Sequence, residues 1–169
     1  ARGLEQQRAL GTQIGVDWSG LRAVLAWVDG VPVFEQFQDA TPESAHDAQG
    51  ATAAVLSTLV GIAIAEGHLR LEDTLDALLP AYRAVMTRRA AGTTLRQVLT
   101  LDAAFDERLV GPRPDFEASQ DWVRALLGWV GASSGNGVGY AGYAVHLVSA
   151  VLDQATGRAL PDYARTRLF

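Results

Sequence analysis

The residue types that perform chemistry are sparse in this chain, and their spacing removes several mechanisms at once. Neither Ser44 nor Ser57 is followed by an amine base three residues on, and none could be, because all fourteen basic residues are arginines and no lysine occurs in the 169 residues. Cysteine is absent as well, which removes thiolate catalysis, disulfides and Cys-type zinc sites. His46, His68 and His146 fall on a loop, a post-helix turn and a helix, a scatter that does not gather ligands, so neither a metal nor a cofactor is expected. A Ser/His/Asp triad can assemble across long separations, but nothing in the pattern selects one. Gly131-Ala132-Ser133-Ser134-Gly135 fits the string G-x-S-x-G, whose serine needs a strand before it and a helix directly after it. Here a predicted helix precedes and a glycine-rich loop follows, so the match reads as chance. The same loop has no nearby Lys or Arg and makes a poor phosphate cradle.

The elements that would position such groups are mostly helical after an opening hairpin. Residues 21–37 read as two short strands around Asp29-Gly30, a step suited to a tight turn. Pro32 lacks a backbone donor and belongs at an edge or near a strand start. A polar connection, 40–50, leads to an apolar helix from about Ala51 to Gly67, with Val55, Leu56, Leu59, Val60, Ile62, Ala63 and Ile64 on more than one face. Such a helix should be enclosed by neighbours. Helices are also predicted over 73–79, stopping before Pro80, and from Thr93 or Thr94 through Leu99. Further helices are predicted over 122–130 after Ser119-Gln120-Asp121, over 140–156 ending at Gly157, and from Pro161 to Arg167. Residues 111–114 and 131–139 read as loops. Trp18, Trp27, Trp122 and Trp129 read as core or interface aromatics or as ligand-binding platforms, with core favoured. The expected fold class is α+β, one domain over 1–169, with a hairpin at 21–37 and mainly helix over 51–169.

Composition supports a globular chain: 49% hydrophobic, 20% charged, with a net charge of −5 and no basic block. That balance excludes nucleic acid as a partner. The most apolar stretch, Ala51–Ala65, falls short of the roughly 20 residues a bilayer requires, and Thr52, Ser57, Thr58 and Gly61 interrupt it, so no membrane span is expected. No charged segment followed by an apolar one opens the chain in the manner of a signal peptide.

Three segments, in order, carry a resemblance. Residues 53–73 contain Ala65-Glu66-Gly67-His68-Leu69-Arg70-Leu71-Glu72-Asp73 after the apolar helix. Leu78-Leu79-Pro80 is followed by Thr93-Thr94-Leu95-Arg96-Gln97-Val98-Leu99-Thr100-Leu101. Residues 140–157 lead to Leu160-Pro161-Asp162-Tyr163-Ala164. Together they resemble the serine β-lactamase and penicillin-binding-protein-like family, of the class C and esterase type, over residues 21 to 169. The resemblance implies a β-lactamase/transpeptidase-like fold, here its helical subdomain with a hairpin from an incomplete sheet.

In that family an S-x-x-K motif opens the apolar helix, its serine attacking an acyl carbon while the lysine helps remove the proton. The matching residues are Gly50-Ala51-Thr52-Ala53, with Gly50 in the nucleophile position and Ala53 in the lysine position. With no lysine in the chain, no shifted register restores the pair. The family's Y-x-N motif reads Tyr140-Ala141-Gly142, so the phenol is kept and the amide is lost at Gly142. The third motif, K-T-G or a relative, would lie beyond Phe169, which makes the chain look truncated.

The resemblance therefore implies a hydrolase family member that forms no acyl-enzyme and retains ligand or partner binding in the former cleft. Two alternatives stand beside it: a non-covalent enzyme using Tyr140 as acid or base, and an engineered or processed fragment of a family hydrolase. The expected partners are a small-molecule ligand and either a second copy or a C-terminal complementing chain, because a lone hairpin is marginal and presents open edges.

Overall fold

Val28 and Val31 face each other across Asp29 and Gly30, whose φ values of 50° and 76° are both positive. Two consecutive left-handed residues are what a type I′ hairpin turn requires, and Asp-Gly adopts them with little strain. The flanking strands are β1 (Ala23–Val28) and β2 (Val31–Phe37), paired antiparallel. Pairing runs from Ala23 opposite Phe37 to Ala26 opposite Phe34, then shifts so that Trp27 faces Pro32. Val33 is the additional residue on β2, a bulge directly beside the proline that has no N–H for the ladder. The computed structural model describes residues 21–38, 41, 43–45, 47–48, 50–103, 118–130 and 144–169. The hairpin belongs to one compact unit, Ala1–Asp47, and the helices to a second, Ala48–Phe169.

In the second unit α1 (Ala51–Ala65) ends in a Schellman turn: the His68 N–H donates to the Ala63 carbonyl at 2.9 Å and the Gly67 N–H to that of Ile64 at 3.0 Å. Gly67, at φ +79°, supplies the left-handed residue. The chain is then pinned to a later segment. Thr74 bridges Thr94, the Leu75 N–H donates to the Thr93 carbonyl at 2.8 Å, and the Leu95 N–H donates to that of Asp73 at 3.0 Å. Helix α2 (Leu75–Leu78) is shorter than the predicted 73–79, and Pro80 opens a 3-10 helix, Pro80–Val85, as well as stopping α2. Proline's fixed φ suits a first turn.

A short helix that the hydrophobic pattern does not announce, α3 (Arg88–Gly92), is started by Thr87, whose hydroxyl accepts from the Ala90 N–H at 3.0 Å. The predicted helix after Thr94 is α4 (Leu95–Leu99), opened by a capping box in which Thr94 and Gln97 satisfy each other's backbone donors. Asp121 caps α5 (Trp122–Leu127), accepting from the Arg124 N–H at 2.9 Å. Its regular part ends at Gly128, before the predicted Val130. Helices α6 (Ala144–Thr156) and α7 (Leu160–Arg167) follow, Gly157 turning between them at φ +65°. The α+β class expected from the pattern is thus present: among the described residues, eight helices including the 3-10 turn accompany one two-stranded antiparallel sheet.

The core is organised differently from the sequence reading. Helix α6 packs against α1, α2, α4, α5 and α7, burying Ala144, Leu147, Val148, Val151 and Leu152 at the spacing of one helical face. Helix α1, expected to be enclosed, buries the single stripe Leu56, Leu59, Val60 and Ala63; Val55, Ile62 and Ile64 are half-buried and Ser57, Thr58 and Gly61 exposed. Apolar residues all round a helix therefore do not make it the centre here. Two tryptophans read as core are also exposed, Trp27 at 53% and Trp122 at 39%, whereas Trp129 is half-buried. Trp27 stands near the tip of a two-stranded hairpin, where few neighbours can cover a ring that size. Trp18 lies outside the described residues.

Candidate functional site

The first turn of α1 positions the residues that the sequence comparison singles out. Gly50 is the residue before the helix, already helical at φ −59° and ψ −24°, and no side chain caps the end. The Ala53 N–H donates to the Gly50 carbonyl at 3.2 Å, so the two stand one turn apart. That is the separation at which a serine hydroxyl and a lysine amine would meet on one helix face. Gly50 is exposed and Ala53 half-buried, so this turn offers a hydrogen and a methyl group at those positions. Thr52 supplies a hydroxyl in the same turn, without an amine to deprotonate it. Tyr140 and Gly142 lie outside the described residues, as do His46, Ser133 and Ser134.

The two remaining histidines stand on different elements. His68 follows the Schellman turn, its Nε2 3.5 Å from Glu66 Oε2. His146 is half-buried on α6 and meets Trp122 edge to face, with ring centroids 4.7 Å apart. Burial lowers its pKa, because the charged imidazolium loses hydration. Among the described residues no three metal-ligating side chains converge. No helix among them is long and apolar enough to cross a membrane.

Sequence reasoning missed a cluster at the opposite end of α1. Glu66 accepts from the Tyr163 hydroxyl at 2.8 Å and pairs with Arg167 Nε at 2.9 Å. Burial of the phenol, and its bond to the Glu66 carboxylate, push the Tyr163 pKa up and keep it a donor. Tyr82 is raised by the same two kinds of cause, burial first and the Asp121 carboxylate second. The one sequence signal for the cluster was Glu66 directly before Gly67, which reads as an ordinary helix end until Tyr163 is brought to it.

The family model described as Beta-lactamase matches residues 2–169 of this chain. No curated protein matches the chain.

Proposed function

The chain belongs to the β-lactamase family, and from that premise we propose that it is a catalytically silent member which forms no acyl-enzyme and keeps ligand or partner binding in the former active-site cleft. The observation that carries this reading is the first turn of α1, where Gly50 and Ala53 are spaced one turn apart and hold neither nucleophile nor base. Covalent catalysis of this kind divides one difficult acyl transfer into two easier steps, and it requires an oxygen activated by a neighbouring base. Arginine cannot replace the lysine, because its guanidinium stays protonated near neutral pH and so cannot act as a base.

The test is the purified chain with nitrocefin, with p-nitrophenyl acetate and with a fluorophosphonate probe. The expected result is turnover at the buffer rate and an unchanged intact mass after each treatment. Hydrolysis that the probe abolishes, or a covalent adduct on any side chain, overturns the reading.

A further inference from the structure

A cavity of about 200 Å³ lies between α3 and the turn that follows α4, and neither Gly50 nor Ala53 lines it. Arg88 and Arg89, in the first turn of α3, line one part of it, and Gln97 and Asp102 line another, with the buried Thr93 between the two helices. Two features of its walls are held in place. The Gln97 Oε1 accepts from the Thr94 N–H at 3.0 Å, which fixes that amide. Beyond α4, Leu101 sits at φ 61°, in a turn closed by the Leu101 N–H on the Val98 carbonyl at 3.2 Å and the Asp102 N–H on that of Gln97 at 2.8 Å. Glycine is the usual residue at this left-handed position, and a leucine there resists the conformation. The strained residue immediately precedes Asp102, and backbone strain of this kind concentrates where geometry serves a site.

Arg88 and Asp102 line the same cavity, and among the described residues no ion pair joins them. Residues of opposite charge that line one space without pairing match a ligand carrying both signs. At about 30 Å³ per water in the liquid, the volume of about 200 Å³ corresponds to roughly seven non-hydrogen atoms. We propose that this cavity binds a small zwitterion, an α-amino acid, with its carboxylate on Arg88 and its ammonium group on Asp102. The site uses no residue of the α1 turn and stands whether or not the chain is catalytically silent.

The experiment is a titration of the isotope-labelled chain, followed by amide shifts, with L-alanine, acetate and methylammonium chloride in parallel. L-alanine is expected to shift the amides of Thr93, Gln97 and Ala103 with a dissociation constant on the order of 1 mM, and each one-charge fragment to bind at least about tenfold more weakly. Asp102→Asn should reduce L-alanine to the level of acetate while leaving acetate unchanged, and Arg88→Ala should weaken L-alanine and acetate together. Acetate binding as tightly as L-alanine to the unaltered chain, or shifts lying away from the cavity, would overturn the proposal. Because Arg88 and Asp102 are exposed, the remaining amide spectrum of each variant should stay in place and report an intact fold.

Discussion

The Tyr163 hydroxyl reaches Glu66 Oε2 at 2.8 Å across 97 residues of sequence and ties α7 to the end of α1. The ring is buried while the carboxylate keeps part of its surface in water, so Glu66 is paired on one side and hydrated on the other. Arg167, one turn further along α7, approaches the other carboxylate oxygen. A hydrogen bond to an ionised group from a buried donor is among the stronger kinds in a protein.

Tyr163→Phe should therefore cost about 1.5–3 kcal/mol, read as a lowered urea midpoint at unchanged slope. Glu66→Gln keeps an acceptor for the phenol and should cost less. An equal loss for the two would show that the contact depends wholly on the carboxylate's charge, and no loss for Glu66→Gln that charge contributes nothing.

The same phenol gives a pH dependence. Its pKa is raised in the folded chain above the ordinary 10.0, so above that value the unfolded chain releases a proton that the native one still holds. Stability from this group is fully present below pH 10 and is lost as pH rises through the folded value. Tyr82 acts with the same sign. Urea midpoints between pH 9 and 11 should fall for the parent chain and fall less steeply for Tyr163→Phe; identical slopes would remove the assignment.

Local chemistry was legible in the sequence where it is local in space. Asp29-Gly30, the Thr93-Thr94 step, Ser119-Gln120-Asp121 and Gly67 each announce a turn or helix end because the partners lie within a few residues, and the structure has a turn or cap at each, with Thr94 and Asp121 as the capping residues. What could not be read was which apolar helix becomes the centre. Helix α1 is the more apolar by composition, yet α6 has the narrower stripe and the greater number of packed neighbours, a matter of connectivity that periodicity does not encode. Helix α3 was missed because five residues with a single buried position, Ala90, leave no period to detect. In the candidate site, the identities at Gly50 and Ala53 and their one-turn spacing were legible; the Glu66–Tyr163 contact, closed only by the fold, was not.

Two glycines, one within α1 and one in the turn that ends it, should respond with opposite signs to alanine. Gly67 is left-handed at φ +79°, so Gly67→Ala strains the Schellman turn and should destabilise by about 1 kcal/mol. Gly61 is helical and exposed, and an added Cβ there meets nothing within 4 Å, so Gly61→Ala should stabilise by about 0.5–1 kcal/mol. Thermal unfolding of the two variants beside the parent checks both signs.

The position of α6 predicts where truncation costs most. Leu152 is fully buried within the packed core, and Leu152→Ala should cost about 2–5 kcal/mol through lost burial and the cavity left behind. Gln154, on the exposed side of the same helix, should tolerate alanine within about 0.5 kcal/mol. Comparable losses at both positions would mean that α6 is not buried on the face given by its 3.6-residue stripe.

Placing a serine and a lysine at Gly50 and Ala53 tests whether these two positions correspond to the family's nucleophile and base. Gly50 is the residue before α1 and Ala53 lies one turn in, so Gly50→Ser places a hydroxyl, and Ala53→Lys an amine, on neighbouring positions of one turn. A lysine at a half-buried position loses hydration, which lowers its pKa and increases its fraction as a free base. The double variant should therefore gain a fluorophosphonate adduct, seen as an increase in intact mass and located by peptide mapping to residue 50. Gly50→Ser alone should react more slowly, having a hydroxyl without a base, and Ala53→Lys alone should not react, having no hydroxyl at the nucleophile position. Labelling of the double variant at any other residue, or equal rates with and without the lysine, would show that these two positions do not occupy the places of the family's nucleophile and base.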